Sequence, residues 1–146
     1  MGDGTRTQTY VYAANGDLAS QTDPLGRTTQ YTGYDNLGRL TQSQRMLGAA
    51  VNDVSKITYD GFGRVATTTA LAGVAGKEMI TSFQYDNLDR TTRVTDALNG
   101  QTNYFYDTRG FLKQTNDQLG HATYFYTDDL GRLKIMVPSV FKFMFG

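Results

Sequence analysis

The chain has no cysteine and no tryptophan, and it contains only two prolines, one histidine and one glutamate, Glu78. Without cysteine it can form neither a disulfide framework nor a thiolate metal site. The first residues lack the apolar region of a signal peptide, and no stretch approaches the roughly 20 apolar residues of a membrane span. We therefore expect no membrane span, and the segment carries no visible targeting signal.

An excess of charge of either sign is also missing. Lys and Arg together number 14, as do Asp and Glu. This balance gives no basic surface of the kind that binds nucleic acid or anionic membranes. We expect neither as a partner.

The abundant residues are those of turns and strands. Glycine occurs 16 times and tyrosine 10 times, threonine is common, and all acidic residues except Glu78 are aspartate. Asp and Gly favour turns, Thr and Tyr favour strands, and good helix formers are scarce. The composition predicts an almost wholly β protein.

A six-residue motif recurs along the chain. Measured at the fifth motif position, successive copies are separated by steps of 25, 26, 21 and 21 residues. These steps fall within the range of about 20 to 50 residues that is typical of stacked repeats. The five copies are Tyr34-Asp35-Asn36-Leu37-Gly38-Arg39, Tyr59-Asp60-Gly61-Phe62-Gly63-Arg64, Tyr85-Asp86-Asn87-Leu88-Asp89-Arg90, Tyr106-Asp107-Thr108-Arg109-Gly110-Phe111 and Tyr126-Thr127-Asp128-Asp129-Leu130-Gly131-Arg132. The third copy lacks the glycine, the fourth lacks the arginine, and the last carries one extra residue.

Each motif predicts a three-residue hairpin loop, a type I turn followed by a left-handed glycine in a G1 bulge. In this register Asp35 faces Arg39, and Tyr34 faces Leu40 on the other side of the sheet. The same geometry pairs Tyr59 with Val65, Tyr85 with Thr91, and Tyr106 with Leu112.

A second kind of turn, the spacer turn, alternates with the first. Three spacer turns are Asp23-Pro24-Leu25-Gly26-Arg27, Asp96-Ala97-Leu98-Asn99-Gly100-Gln101 and Asp117-Gln118-Leu119-Gly120-His121. Each period is therefore strand, turn, strand, turn. In two repeats the chain between one motif and the next is enlarged around the spacer turn, at residues 47–51 and 71–77. These two enlarged arms explain the longer steps of 25 and 26 residues.

The alternation of apolar and polar residues along the strands is incomplete. In Tyr104-Phe105-Tyr106 and Tyr124-Phe125-Tyr126, aromatic rings must point to both faces of the sheet. Either the second face is covered, or it lines an enclosed space, or tyrosine simply tolerates water through its hydroxyl.

The motif Tyr-Asp-x-x-Gly-Arg, interleaved with Asp-Pro-x-Gly-type turns, resembles the YD-repeat or RHS-repeat family. The resemblance covers about Tyr10 to Leu133, with Tyr12-Ala13-Ala14-Asn15-Gly16-Asp17 as a worn first copy. It implies a fold of repeated antiparallel β-hairpins that form a curved, twisted ribbon, a fragment of a spiral β-shell. Members of the family include bacterial polymorphic toxins, cocoon components of insecticidal toxin complexes, and teneurins. Their shells commonly enclose a C-terminal toxin or, in teneurins, support cell-surface contacts.

The resemblance implies structural roles only for the motif residues. These are Tyr34, Asp35, Gly38, Arg39, Tyr59, Asp60, Gly63, Arg64, Tyr85, Asp86, Arg90, Tyr106, Asp107, Gly110, Tyr126, Gly131 and Arg132. Two departures matter. Asp89 has to adopt the left-handed conformation of the missing glycine, and Phe111 replaces the arginine, so that Asp107 loses its cross-strand partner. We recognise neither the family's self-cleaving core segment nor a toxin domain in these 146 residues.

No catalytic, cofactor or metal site emerges. His121 stands where Arg27 and Gln101 stand in sister turns, which favours a polar residue at the start of a strand. Asp128 and Asp129, taken as adjacent strand residues, would point to opposite faces and could not converge as a glycosidase pair. Residues 73–78 lack the spacing of a phosphate loop, and the turn aspartates form no calcium-loop pattern. We expect no enzyme and no cofactor.

The leading interpretation is a wall segment, over residues 1–133 with about five to six hairpin repeats, of a secreted or cell-surface shell that encloses a toxin or effector. Its partners would be further repeats of the same parent chain, other copies of itself, and the enclosed polypeptide. The alternative is a carbohydrate- or cell-surface-binding adhesion module, in which outward tyrosines and arginines contact glycans.

The segment from Lys134 to Gly146 is unusually apolar and has no second turn. It is either a truncated or frame-altered end of the array, or a strand that plugs or lines the shell. Unpaired sheet edges at Thr7–Tyr12 and at this tail predict that the purified chain associates.

Overall fold

The computed structural model describes residues 7–47, 50–72 and 74–138, and every regular element in them is a β-strand. Among these residues there is no helix of the length and apolarity that a bilayer crossing needs. The predicted all-β class is confirmed. The strands are β1 (Thr9–Tyr12), β2 (Leu18–Thr22), β3 (Thr28–Tyr34), β4 (Leu40–Leu47), β5 (Ala50–Tyr59), β6 (Val65–Ala70), β7 (Met79–Tyr85), β8 (Thr91–Thr95), β9 (Gln101–Tyr106), β10 (Leu112–Asn116), β11 (Ala122–Thr127) and β12 (Leu133–Pro138).

The chain divides into two compact units, Met1–Ile80 and Thr81–Gly146. In the first unit, β1 to β6 pair antiparallel, each with the next strand along the chain. In the second unit, the part of β7 from Thr81 onward and the strands β8 to β12 do the same. Both units are thus built of consecutive antiparallel hairpins, as predicted.

Two backbone hydrogen bonds close each motif turn, as in the predicted type I turn with a G1 bulge. The Gly38 N–H donates to the Asp35 carbonyl at 2.9 Å, and the Asp35 N–H donates to the Arg39 carbonyl at 2.9 Å. Gly38 has a φ of 73°, in the left-handed region that glycine enters without a Cβ clash. Asp89, which replaces the glycine of the third copy, adopts the same conformation at φ 61°, as predicted.

The predicted registers are confirmed. Tyr34 lies opposite Leu40, and Tyr59 lies opposite Val65. In the second unit, Tyr85 lies opposite Thr91 and Tyr106 lies opposite Leu112.

Within the first unit these registers give the sheet two unlike faces. The tyrosine face carries aromatic and branched side chains, namely Tyr31, Tyr34, Leu40, Ile57, Tyr59 and Val65. The amide–threonine face carries Gln30, Gln42, Gln44, Lys56, Thr58 and Thr67. Polar side chains bond across strands on this second face, where Gln44 Nε2 donates to Gln30 Oε1 at 2.7 Å.

The second unit has the same two faces. Its tyrosine face comprises Phe83, Tyr85, Val94, Tyr104, Tyr106 and Leu112. Its amide–threonine face comprises Gln84, Arg93, Asn103, Gln114 and Asn116. Phe105 points to the amide–threonine face and is 41% exposed, so aromatic rings do occupy both faces, as predicted.

Neither unit has a buried core among the described residues. Ala72, 3% exposed, is the one buried apolar residue there, and no large side chain is fully buried. Each unit is therefore a single layer of sheet, stabilised by strand pairing and by side-chain contacts along its faces.

The chain after β6 folds back on β5. Ala72 N–H donates to the Val54 carbonyl at 2.8 Å, and Leu71 N–H donates to Asp53 Oδ1 at 3.1 Å. This connection is the enlarged arm predicted at residues 71–77; Gly73 lies outside the described residues. In the other enlarged arm, β4 and β5 pair as far as Leu47 and Ala50, and residues 48 and 49 lie outside the description.

Candidate functional site

The aspartate of each motif turn organises its own loop. Asp35 Oδ1 accepts the N–H groups of Leu37 and Arg39, both at 2.9 Å, and Asp35 Oδ2 accepts Arg39 Nε at 2.7 Å. One carboxylate thereby holds the turn closed and fixes the arginine. The same three bonds are found at Asp23, Asp60, Asp86 and Asp128.

These bonds favour the ionised carboxylates. Backbone N–H donation from Arg39 lowers the pKa of Asp35 below its usual 3.8, and the Arg39 side chain adds to the effect. For Asp86 the Arg90 guanidinium is the leading cause of the lowered pKa. Removal from water raises the pKa of Asp60, but the hydrogen bonds from Arg64 and Phe62 outweigh it, and the net shift is downward.

In the fourth copy the structure adds a contact that the sequence did not indicate. Phe111 does remove the cross-strand arginine, yet Asp107 keeps an ion pair, because Arg109 of the same turn places Nε 3.4 Å from Asp107 Oδ2. Arg109 also reaches the next turn, with Nη2 3.4 Å from Thr127 Oγ1 and Nη1 3.8 Å from Asp129 Oδ1. The arginine of this copy has moved two positions along the turn.

The motif tyrosines bind the preceding repeat through their hydroxyls. Tyr59 Oη donates to the Leu40 carbonyl at 2.8 Å, and Tyr106 Oη donates to the Thr91 carbonyl at 2.7 Å. Tyr34 Oη makes the same bond to the Leu18 carbonyl at 2.7 Å. In each case the acceptor is the first residue of the second strand of the preceding hairpin. Burial there raises the pKa of the phenols of Tyr34 and Tyr106.

The arginine at the sixth motif position also contacts the tyrosine of the next repeat. The Arg39 guanidinium lies over the Tyr59 ring, 4.1 Å from its centroid, and Arg90 lies over Tyr106 at 4.5 Å. A cation over a tyrosine face contributes about 0.5–1 kcal/mol at exposed sites. The motif arginine therefore joins its own turn to the tyrosine of the next repeat.

The same side chain also approaches the next motif glycine. A Cβ at Gly63 would lie 2.9 Å from Arg39 Nη1, and one at Gly131 would collide with the Phe111 ring. Phe111 occupies the arginine position of its repeat, so the approach to the next motif glycine is kept after the charge is lost. Gly131 is thus fixed by a φ of 78° and by the ring beside it.

The extra residue in the last copy changes which side chains of β11 lie on each face of the sheet. Thr127, not Tyr126, precedes the turn and pairs with Leu133, while Tyr126 pairs with Ile135. Because side chains alternate along a strand, a one-residue shift exchanges the faces. Phe125 consequently joins the tyrosine face, and Tyr124 and Tyr126 point the opposite way, with Tyr126 51% exposed.

The spacer turns use the same device. Asp96 Oδ1 accepts the N–H groups of Leu98 and Gly100, both at 2.8 Å. Asn99 takes the left-handed position at φ 64°. The residue equivalent to Arg27 and His121 is therefore Gly100, whose carbonyl accepts the Asp96 N–H, and the prediction that Gln101 stands there is wrong. In the next spacer turn, His121 Nδ1 lies 3.0 Å from Asp117 Oδ2, where Arg27 pairs with Asp23 in the first.

Asp128 and Asp129 require a correction, since they lie in a turn and not in a strand. Asp128 caps that turn and binds Arg132, whereas the Asp129 side chain is fully exposed. No cluster of three or more metal-ligating side chains occurs among the described residues.

Sequence reasoning missed the contact between repeats. It explained Tyr34, Asp35, Gly38 and Arg39 within one hairpin, but the tyrosine and arginine also act on neighbouring hairpins. The signal was available, because a tyrosine and an arginine on the same face in successive hairpins have rings and guanidinium groups within reach.

Comparison with known proteins agrees with this arrangement. Residues 12–45 match the family model described as RHS Repeat, which confirms the resemblance inferred from the motif. No curated protein sequence matches the chain.

Solved structures share the fold over most of the chain. The crystal structure described as TcdB2-TccC3-TEV has a TM-score of 0.72 and 20% identity, and it matches 90% of this chain. TcdB2-TccC3-Cdc42 gives 0.69 and 20% over 88%, and TcdB2-TccC3 without its hypervariable C-terminal region gives 0.53 and 14% over 92%. The chain spans only 7%, 7% and 9% of the lengths of those chains, respectively.

Proposed function

We propose that this chain, a segment built of RHS repeats, is part of the wall of a hollow β-shell that encloses a toxin or effector polypeptide. The observation that carries the proposal is that the motif residues are engaged by one another. Each turn carboxylate is satisfied within its loop, and Tyr34, Tyr59 and Tyr106 bind the preceding hairpin. Contacts of this kind join each hairpin to the one before it, as the wall of a shell requires.

The fold comparison supports the same function. The chain matches, over about nine-tenths of its length, a small part of much larger chains. A segment of this kind would work with further repeats of its parent chain. The secreted or cell-surface location of the shell is part of the proposal.

The adhesion alternative is less well supported. Stacking on a sugar needs an accessible aromatic ring, but the Tyr59 and Tyr106 rings are each covered by an arginine. Their hydroxyls are bonded to backbone carbonyls as well. Three of the five motif tyrosines, Tyr34, Tyr59 and Tyr106, therefore serve the contact between repeats, and we favour the shell.

Limited proteolysis of the full gene product that carries residues 1–146 tests enclosure. The purified product is treated with protease, and the fragments are identified by mass spectrometry. We expect a polypeptide outside the repeats to resist cleavage and to become sensitive once a low concentration of denaturant opens the shell.

A matched pair of variants provides the control. Gly38→Val introduces a β-branched side chain at a φ of 73°, whereas Gly61→Ala adds a methyl group where nothing lies within 4 Å. Protection should be lost in the first variant and retained in the second. Equal protease sensitivity of the enclosed polypeptide in the native product and in Gly38→Val would refute the proposal.

A further inference from the structure

Two of the strands are paired on one side only. Among the described strands, β1 pairs with β2 alone and β12 pairs with β11 alone. β1 is exposed along its whole length, and β12 is exposed at every residue except Val137. An exposed apolar edge strand is a ready template for pairing with another strand. The large apolar side chains on the two edges are each 51–63% exposed, and they are Tyr10, Val11, Tyr12, Leu133, Ile135 and Met136.

The last motif turn presents an open half of the contact between repeats. Elsewhere the motif arginine and the first carbonyl of the following strand receive the tyrosine of the next hairpin, as Arg39 and Leu40 receive Tyr59. Arg132 and Leu133 stand in the same two positions, and no tyrosine from the part of the chain that the structure describes covers them. The Arg132 side chain is accordingly 75% exposed, whereas that of Arg39 is 30% exposed.

The first repeat presents the other half. Tyr12 holds the motif tyrosine position of the worn first copy, and within the described ranges no carbonyl accepts its hydroxyl and no arginine covers its ring. Gly16 holds the glycine position, and nothing lies within 4 Å of a Cβ there, whereas Arg39 Nη1 lies 2.9 Å from a Cβ at Gly63. Gly38 is open in the same way, because the first copy ends in aspartate and not in arginine.

We propose that β12 of one copy of the chain pairs antiparallel with β1 of a second copy, joined by the same contact that joins repeats within each unit. Tyr12 Oη donates to the Leu133 carbonyl, and the Arg132 guanidinium covers the Tyr12 ring and approaches Gly16. The occupant is a second copy because one chain carries both complementary halves, on different strands, and its own repeats already show how they fit. The interface requires the repeat fold alone, whether or not a polypeptide is enclosed.

The strand pairs already present fix the register of the new pair. Gln42 of β4 lies opposite Lys56 of β5, so the motif tyrosine falls one residue past the partner of the first strand residue. β8 and β9 show the same offset. Applied to β12 and β1, this offset sets Ile135 opposite Thr9.

The faces of the two strands agree with that register. Ile135 pairs with Tyr126, which points away from the tyrosine face, and Thr9 continues the amide–threonine face through Thr22 and Thr28. Ile135 and Thr9 therefore lie on the same face when paired. A one-residue slip would exchange the faces, so this agreement selects the proposed pairing over its neighbours.

Sedimentation velocity of the purified chain over a range of concentrations tests the interface. A head-to-tail contact leaves an open half at both ends of every dimer, so we expect species larger than a dimer to grow with concentration. Tyr12→Ser should raise the dissociation constant about tenfold or more, because buried aromatic anchors dominate interface energies. Leu37→Ser, at a motif-turn residue 77% exposed, should leave association unchanged. Circular dichroism verifies that both variants keep the β fold.

A double-mutant cycle determines whether Tyr12 and Arg132 meet. Arg132→Ala should also weaken association, and Tyr12→Ser/Arg132→Ala should be less impaired than the product of the two single effects, because both changes remove one contact. Effects that multiply would show that the two side chains act separately and would contradict the proposal.

Disulfide trapping supplies an independent measurement, because the chain has no native cysteine. Copies bearing Thr9→Cys are mixed with copies bearing Ile135→Cys and oxidised, and mixed disulfides should form readily, since directly opposite residues have Cβ atoms about 4.5–5.5 Å apart. Tyr10→Cys, one residue along and on the other face, should react with Ile135→Cys more slowly. A monomeric native chain, equal trapping at Tyr10→Cys, or disulfides between two Ile135→Cys copies as fast as mixed ones would each overturn the proposal.

Discussion

One arginine side chain serves two repeats at once. Arg39 closes its own turn through Asp35 at 2.7 Å and covers the Tyr59 ring of the next hairpin at 4.1 Å. Tyr59 in turn binds the Leu40 carbonyl, one residue beyond Arg39. The turn and the contact between repeats are therefore coupled through neighbouring residues.

The substitution Tyr59→Phe tests the hydroxyl contact. It removes the bond to the Leu40 carbonyl while leaving the ring under Arg39. We expect the free energy of unfolding to fall by about 1 kcal/mol, the usual net contribution of one hydrogen bond. Urea denaturation measures it. Tyr10→Phe, at a side chain 51% exposed on β1, should leave the midpoint unchanged; equal effects would contradict the assignment.

The substitutions Gly131→Ala and Gly16→Ala separate backbone strain from crowding. Both positions have a positive φ, 78° and 90°, so both variants incur about 1–2 kcal/mol of left-handed strain. Gly131→Ala also forces Cβ against the Phe111 ring, whereas nothing lies within 4 Å at Gly16. We expect Gly131→Ala to be more destabilising by about 1–3 kcal/mol.

Thermal or urea denaturation of a double variant completes that test. In Phe111→Ala the ring is absent, so adding Gly131→Ala should then cost only the backbone strain. If Gly131→Ala is equally harmful with and without the Phe111 ring, crowding by the preceding repeat is not the cause.

At the scale of the hairpin, most of the fold follows from the sequence. Asp, the left-handed residue and the length of the loop fix the turn, and the turn fixes the register, as Tyr34 opposite Leu40 shows. Thr127 shows where this reasoning fails. An alignment of Tyr126 with the other motif tyrosines places it next to the turn, but the turn aspartate sets the register. Because of the extra residue, Thr127 takes the place next to the turn and Tyr126 lies on the opposite face.

The turn aspartates predict acid sensitivity of the hairpins. Backbone donation from Arg39 and from Arg132 lowers the pKa of Asp35 and Asp128 below 3.8, so the folded state favours their ionised forms. The resulting stability is present above the unfolded pKa of 3.8 and is lost as the pH falls through the lower folded values. We expect the urea midpoint to drop between neutral pH and about pH 2.5.

A pair of asparagine variants checks the source of that dependence. Asp35→Asn keeps an oxygen for the turn N–H groups but cannot titrate, so the drop in midpoint with acid should be smaller than in the native chain. Asp129→Asn changes a fully exposed carboxylate and should leave the drop unaltered. The same drop in all three proteins would show that the capping carboxylates are not responsible.

At the scale of the molecule, the absence of a buried core among the described residues of either unit makes stability local. Contacts join each hairpin to its neighbours, as Tyr106 to Thr91, and arrays of this kind behave as sums of repeat and neighbour terms. The single-layer sheet could not be read from the sequence, because the aromatic residues on its faces equally suit a covered sheet.

Hydrogen exchange with mass spectrometry tests this locality. Gly38→Val should speed amide exchange in β3 and β4 and in the adjoining strands, while β9 to β12 keep native rates. Gly110→Val, also at a positive φ, should do the reverse. A uniform increase along the chain in either variant would indicate one cooperative unit.

The single-layer construction has a consequence for capacity. Each residue adds about 16 Å² of wall, from a rise of about 3.3 Å and a strand spacing of about 4.8 Å. For a closed container made of such a sheet, area grows in proportion to chain length and volume grows as its three-halves power. Doubling the number of hairpins would therefore enlarge the interior about 2.8-fold, so adding repeats is an efficient way to accommodate a bulkier occupant.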